Sequence, residues 1–171
     1  MNRESELVLR AGQGDQAAFG RLVEQHWVRL VRLARSVVGE MEAEDAVQDG
    51  LLRAWRKLPG LREPAAFSQW VSRVVLRVCF RRARGQVAGL VSLEAVPEPI
   101  SRSNPEPRID VGRLLASLPP RQRAVMHLTV VEGMTDSEIA GILGIAASSV
   151  RGHRRRARGR LEQQVAVGVE S

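Results

Sequence analysis

The stretch SLPPRQRAVMHLTVVEGMTDSEIAGILGIAASSVRGHRRRARGRL, residues Ser117 to Leu161, decides how the chain is read. Within it, Thr135-Asp136-Ser137-Glu138 has the pattern of a capping box. A hydroxyl stands at the N-cap and a carboxylate three residues on, and each can satisfy a backbone N–H that the first helical turn leaves open. The pattern opens a short helix whose inner face is expected to be Ile139, Ala140 and Leu143. Gly144 supplies a turn, because a residue without Cβ takes positive φ at little cost. Ile145 then points back into the core. A second helix is expected from near Ala147, with Val150, Ala157 and Leu161 as its thin buried side. It carries six arginines in the ten residues 151–160. Arg151, Arg154, Arg155 and Arg158 fall at i, i+3, i+4 and i+7, one stripe along the helix.

Two short helices joined by a glycine turn make a helix-turn-helix. In that motif the N-terminal residues of the second helix meet base edges in the major groove. The register assigns Ser148, Ser149, Arg151, Gly152 and Arg155 to base readout. Arg154, Arg156 and Arg158 are better placed for phosphates, which position a protein without specifying sequence. Thr135, at the start of the first helix, joins the DNA-facing set. The bland reading is a solvated basic helix packed on an acidic partner. A membrane-surface helix would need a wider apolar face than one valine, one alanine and one leucine.

Upstream, three further stretches have helical spacing. They are Phe19, Leu22, Val23, Trp27, Leu30, Val31, Ala34 and Val38; then Val47, Leu51, Trp55 and Leu58; then Phe67, Trp70, Val71, Val74, Val75 and Val78. No period-two strand is evident. The expectation is an all-α protein of two small helical domains, 1–84 and 111–171, joined by a flexible linker over 85–110. The linker is marked by Pro97, Pro99, Pro105 and Pro107 among serines. Fully extended, those 26 residues reach roughly 85 Å.

The chain of 171 residues carries a net charge of +7. The charge is unevenly spread, at +5 over 1–84, −2 over 85–112 and +4 over 113–171. Two basic blocks flanking an acidic joint suggest two surfaces for one polyanion. Cys79 is the lone cysteine, so no internal disulfide can form. The three histidines show no metal-ligand spacing, and no cofactor or metal is expected. No apolar run has the length of a signal peptide or a membrane span. A cytoplasmic protein is the simplest reading.

Two features of the N-terminal block carry chemistry. Glu40, Glu42, Glu44, Asp45 and Asp49 gather within ten residues, with Gln48 between them. They suit either a helix dipole or a docking face for a basic protein. On the later helix Arg73, Arg77, Arg81 and Arg84 form a stripe roughly 100° from the apolar one, and Phe80 lies on the arginine side. Cations interleaved with an aromatic suit unpaired nucleic acid. Arginines snorkelling along a core edge are the plainer alternative.

Taken together, the two blocks resemble the sigma-70 family of bacterial RNA polymerase sigma factors, in particular its short extracytoplasmic-function (ECF) group. The residues carrying the likeness are Glu44-Asp45-Ala46-Val47-Gln48-Asp49-Gly50-Leu51-Leu52-Arg53-Ala54-Trp55 and Phe67-Ser68-Gln69-Trp70-Val71-Ser72-Arg73-Val74. In the second block they are Leu118-Pro119-Pro120-Arg121-Gln122-Arg123 and Glu132-Gly133-Met134-Thr135-Asp136-Ser137-Glu138-Ile139-Ala140. The resemblance implies that the first domain is region two. Its acidic helix, with Glu44, Asp45, Gln48, Asp49, Leu52 and Trp55, would bind the core polymerase. Lys57, Arg62, Trp70, Arg73, Arg77, Phe80, Arg81 and Arg84 would hold the melted minus-ten strand. The second domain would be region four, entering the minus-thirty-five major groove. An anti-sigma partner is also implied. The chain departs from the family where Arg77 stands in place of a frequent Asn and Arg81 in place of Asp. Ala146 replaces a serine-like cap, and Arg154 sits where leucine is frequent.

The function so implied is a promoter-specificity subunit with no catalytic activity. A free-standing LuxR-like helix-turn-helix regulator also fits Thr135–His153, and would not need polymerase. A nucleic-acid-processing enzyme would have only the acids at 40–49 as a candidate site.

Overall fold

A computed structural model describes the backbone of residues 3–92 and 111–169 and the side chains of 3–86 and 114–166. The described residues form α-helices joined by short turns, with no strand among them. Helix α1 (Arg3–Gly12) leads into α2 (Gln16–Val38), α3 (Glu40–Lys57) and α4 (Phe67–Ser92). The C-terminal half holds α5 (Val111–Ala116), α6 (Pro120–Val130), α7 (Asp136–Leu143) and α8 (Ala147–Val169). The linker expected over 85–110 begins as helix, since α4 runs on through Ser92. The remainder of it, 93–110, lies outside the described residues.

The N-terminal half is a three-helix bundle of α2, α3 and α4, with α1 laid against α2. Asp15 caps α2 by accepting the Ala18 N–H at 3.0 Å, and Arg10 pairs with the same carboxylate at 2.7 Å. Those contacts, the backbone N–H first, hold the Asp15 carboxyl below its usual range. Helix α1 buries Leu7, Val8 and Ala11. The connection between α3 and α4 is two 3-10 turns, Leu58–Gly60 and Pro64–Ala66. The stripe of Phe67, Val71, Val74, Val75 and Val78 is buried as expected, while Trp70 is half-buried. Leu76, Cys79 and Ala83, which lie off that stripe, are buried as well.

The C-terminal half packs on the other side of α4. Helix α6 lies against α2, and α7 against α4. A continuous cluster of buried apolar side chains runs from Leu7 in α1 to Val150 in α8. Arg29 stitches the junction. Its guanidinium donates to Ser72 Oγ on α4 at 2.7 and 3.0 Å, and its Nε lies 3.3 Å from Glu132 beyond α6. Arg73 donates to the Gly141 carbonyl on α7, and Arg121 sits 5.2 Å over the Phe80 ring. The two halves therefore rest on each other rather than standing apart on a tether.

Two outcomes are expected from this packing. A Cβ at Gly50 on α3 would stand 2.7 Å from Val75 Cγ2 and 3.0 Å from its Cα. Gly50→Ala should destabilise the fold by about 1–3 kcal/mol, the usual cost of overpacking against backbone, read as a lowered thermal midpoint. An unchanged midpoint would contradict the close α3–α4 approach. The second concerns His127, which lies 3.8 Å from Glu132. Burial first, then Arg29 and Arg32, lower its pKa, so the folded chain binds this proton more weakly than the unfolded one. The unfolded chain takes up that proton near pH 6.5, so stability is complete above this value and falls as pH drops below it. His153 is shifted the same way. Burial raises the Glu132 carboxyl against the pull of Arg29; this opposes the His127 effect, because its contribution is present below the ordinary glutamate value and lost as pH rises above it. The thermal midpoint should fall between pH 7.5 and 5.5, and His127→Gln should flatten part of that fall.

Candidate nucleic-acid interface

The C-terminal motif is built as its sequence demands. Thr135 Oγ1 accepts the Glu138 N–H at 3.3 Å, and the Glu138 carboxylate accepts the Thr135 N–H at 2.8 Å. The Thr135 N–H, and after it the Thr135 hydroxyl, which donates to the same carboxylate at 2.8 Å, hold the Glu138 carboxyl below its ordinary range. Gly144 closes α7 with φ 66° and ψ 39°, a left-handed conformation that favours a residue without Cβ. The chain then turns into α8, whose first free amides, those of Ser149 and Val150, find the Ala146 carbonyl at 2.9 and 3.2 Å. The inner face of α7 is Ile139 with Ile142; Ala140 and Leu143 are only half-buried. On α8, Val150 and Ala157 are buried and Leu161 is half-buried.

This packing turns the arginines of α8 outward. Ser148, Arg151, Gly152, Arg154, Arg155 and Arg158 line one shallow groove along the helix, together with Gly159 and Glu162. Ser149 is exposed beside it. The Arg156 guanidinium lies beside Gly152 and 3.3 Å from His153 Nδ1. Arg154 is not a loose cation. Its guanidinium meets Asp136 at 2.5 and 3.4 Å. Thr135 is exposed but engaged in its capping box.

The arginine stripe on α4 divides in two. Arg77, Arg81 and Arg84 are exposed, as are Lys57 and Arg62 ahead of the helix. Arg73 and Phe80 are half-buried and held by Gly141 and Arg121 of the C-terminal half. Trp70 is half-buried with its ring 6.0 Å from that of Phe67.

The acidic helix α3 divides likewise. Glu44, Asp45 and Gln48 are exposed, and Leu52 stands beside them 58% exposed despite being apolar. The spacing of 45, 48 and 52 puts these on one helical face. Asp49 and Glu42 instead grip Arg82 of α4 at 2.5 and 2.9 Å, so Asp49 braces the bundle. Trp55 packs at its edge, ring to ring with Phe19 at 4.8 Å. Sequence reasoning missed Arg82, whose partners lie 33 and 40 residues away, and Arg29, which pairs across the two halves.

Among the described residues, no group of three or more His, Cys, Asp or Glu could hold a metal ion. No described helix is long and apolar enough to cross a membrane.

Comparison with known proteins agrees with this geometry. The chain matches the Sigma-70 region 2 family model over residues 22–88 and the Sigma-70 region 4 model over 108–161. It is 33% identical to the RNA polymerase sigma factor CnrH of Cupriavidus metallidurans, over 91% of this chain and 90% of that protein. It is 36% identical to the ECF RNA polymerase sigma factor SigM of Mycobacterium tuberculosis, over 92% of this chain and 82% of that protein. The solved structure of CnrH in complex with the cytosolic domain of CnrY superposes with a TM-score of 0.72 at 30% identity, covering 97% of this chain and 99% of that one. The region 2 match leaves a free-standing LuxR-like regulator disfavoured, since that reading accounts only for the C-terminal half. Sigma factors bind core RNA polymerase and promoter DNA, and they confer promoter specificity without catalysing a reaction. The chain belongs to the sigma-70 family, as one of its ECF RNA polymerase sigma factors.

Proposed function

We propose that this sigma factor holds core polymerase through α3, the melted minus-ten strand through α4 and the minus-thirty-five duplex through α8. Residues 1–84 serve the first two tasks, 111–171 the third, and 85–110 tether them. The observation that supports this best is the segregation of charge. Glu44, Asp45 and Gln48 surround exposed Leu52 on one face of α3, whereas Ser148, Arg151, Gly152, Arg155 and Arg158 share one groove on α8. The α3 face suits a basic protein helix with an apolar contact at its centre. The α8 groove suits the edges and phosphates of a major groove, where each bidentate arginine–guanine pair gives about 1–3 kcal/mol of discrimination. Arg77, Arg81 and Arg84, with Lys57 and Arg62, attract the unpaired strand. The site of work is the cytoplasm, where polymerase and promoters are.

Two promoter elements separated by about two helical turns, roughly 70 Å, cannot both be reached while the halves touch. The contacts of Arg29, Arg73 and Arg121 must part. Parting them returns Arg73 and Phe80 to the strand-holding face of α4.

Transcription in vitro with purified core and a promoter library tests the assignment. The wild-type chain should direct initiation at defined sites. Asp45→Lys with Leu52→Asp should weaken core binding about tenfold or more, the loss expected when charged contacts become repulsive. Arg151→Ala with Arg155→Ala should leave core binding intact and relax the upstream preference. No initiation with core, or lost core binding in the arginine variant, would overturn it.

A protein inhibitor is the second part of the proposal. Val130 and Val131 are 71% and 60% exposed. With Leu115, Ala116, Met126 and Leu161 they line a groove of about 640 Å³ that also meets Arg32, Arg35 and Arg123. An apolar groove bounded by arginines fits an amphipathic helix with acidic flanks, and an anti-sigma factor is the partner this family provides. Val130→Asp with Val131→Asp should raise transcription from dependent promoters in the host while leaving transcription in vitro, with no inhibitor present, unchanged. Unchanged host transcription would remove the groove from this role.

A further inference from the structure

Asp136 is the first residue of α7, and its backbone is fixed by the capping box on either side of it. Its carboxylate points across to α8. Oδ1 lies 2.5 Å from Arg154 Nη1 and Oδ2 3.4 Å from Arg154 Nη2. Oδ2 also lies 3.8 Å from Arg151 Nη1. The side chains of Asp136 and Arg154 are 22% and 30% exposed, and that of Arg151 is 59% exposed. One acid from the first helix thus meets two arginines of the second, one tightly and one at the edge of contact.

We propose that Asp136 is a positioning residue for promoter selectivity: it ties Arg154 down beside α8 and steers Arg151 toward the groove face. This rests on the reading of α8 as the helix that meets duplex DNA. The physics runs through counterions. An arginine free to swing reaches a phosphate, and each phosphate neutralised adds affinity for any sequence and steepens the salt dependence of binding by about 0.9 in log–log slope. Tying Arg154 to a carboxylate removes one such contact and so lowers binding to all DNA alike. Steering Arg151 acts oppositely on the correct sequence, because a preoriented side chain forms its base contact at lower entropic cost. Both effects widen the gap between correct and incorrect sites. Selectivity is that gap rather than the affinity itself.

The experiment uses holoenzyme, reconstituted from core and full-length chain, on duplexes carrying a promoter selected from a random library. A matched duplex with only the upstream element scrambled is the competitor. For Asp136→Asn, the salt slope on the scrambled duplex should steepen by about 0.9. The preference for the selected duplex should fall about tenfold, the size of one bidentate arginine contact. Arg154→Ala added to Asp136→Asn should return the slope to the wild-type value, and Asp136→Glu should preserve both slope and preference. A role confined to stability would lower the thermal midpoint in Asp136→Asn without moving the slope, and that result would overturn the proposal. Wild-type holoenzyme indifferent to the scrambling would overturn the reading of α8, and the proposal with it. A wild-type preference that Asp136→Asn leaves intact would overturn the proposal alone.

Discussion

One helix, α4, has to belong to two interiors at once. Val71, Val75 and Val78 close the bundle with α2 and α3, and Arg73, Leu76 and Phe80 lie toward α6 and α7. Residues at 73, 76 and 80 recur at three and four, so a second face of the helix is committed to the C-terminal half. A buried leucine contributes about 1.5–3 kcal/mol relative to an exposed one, so the contact between the halves is held by more than its ion pairs. Of the stripe of arginines, Arg77, Arg81 and Arg84 remain to solvent. The same helix that organises the fold thus has only part of its basic face available for nucleic acid.

Charges are sorted by the company they keep. Glu42 and Asp49 are bound to Arg82, Glu132 to Arg29 and Asp136 to Arg154, and each of these links joins separate elements. Glu44 and Asp45 stand exposed on α3 instead. Partly buried pairs are costly to break, because the partner left behind loses both its water and its counter-charge. Exposed carboxylates lose little when a cationic surface arrives. Four acids that look alike along the sequence, Glu42, Glu44, Asp45 and Asp49, therefore divide into braces and contacts according to which helix lies behind them.

The features legible in the sequence were those determined within a few residues. The capping box and the Gly144 turn are local, so the helix-turn-helix could be located before any tertiary contact was known. The stripe on α4 was equally plain. Helix α1 escaped notice because its apolar residues, Leu7, Val8 and Ala11, span little more than one turn. On α7 the helical spacing points to Leu143 for the inner face, whereas Ile142 is the buried residue. The burial of Leu76 and Cys79, the pairing of Asp136 with Arg154 and the bond from Arg29 to Glu132 all depend on segments distant in the chain. Periodicity within one helix carries no trace of them. The continuation of α4 to Ser92 is hidden for another reason: Gly85 and Gly89 lower the helix propensity there, although Val87, Leu90 and Val91 keep helical spacing.

The single thiol has a practical consequence. Cys79 is fully buried on α4, and burial pushes its pKa up to about 12. The reactive thiolate is thus scarce at neutral pH and shielded by the bundle that surrounds it. Thiol-alkylating reagents find no thiol target while α2, α3 and α4 stay together. The rate at which a reagent modifies this one sulfur becomes a clock for the opening of the N-terminal interior, legible by mass and requiring no engineered label.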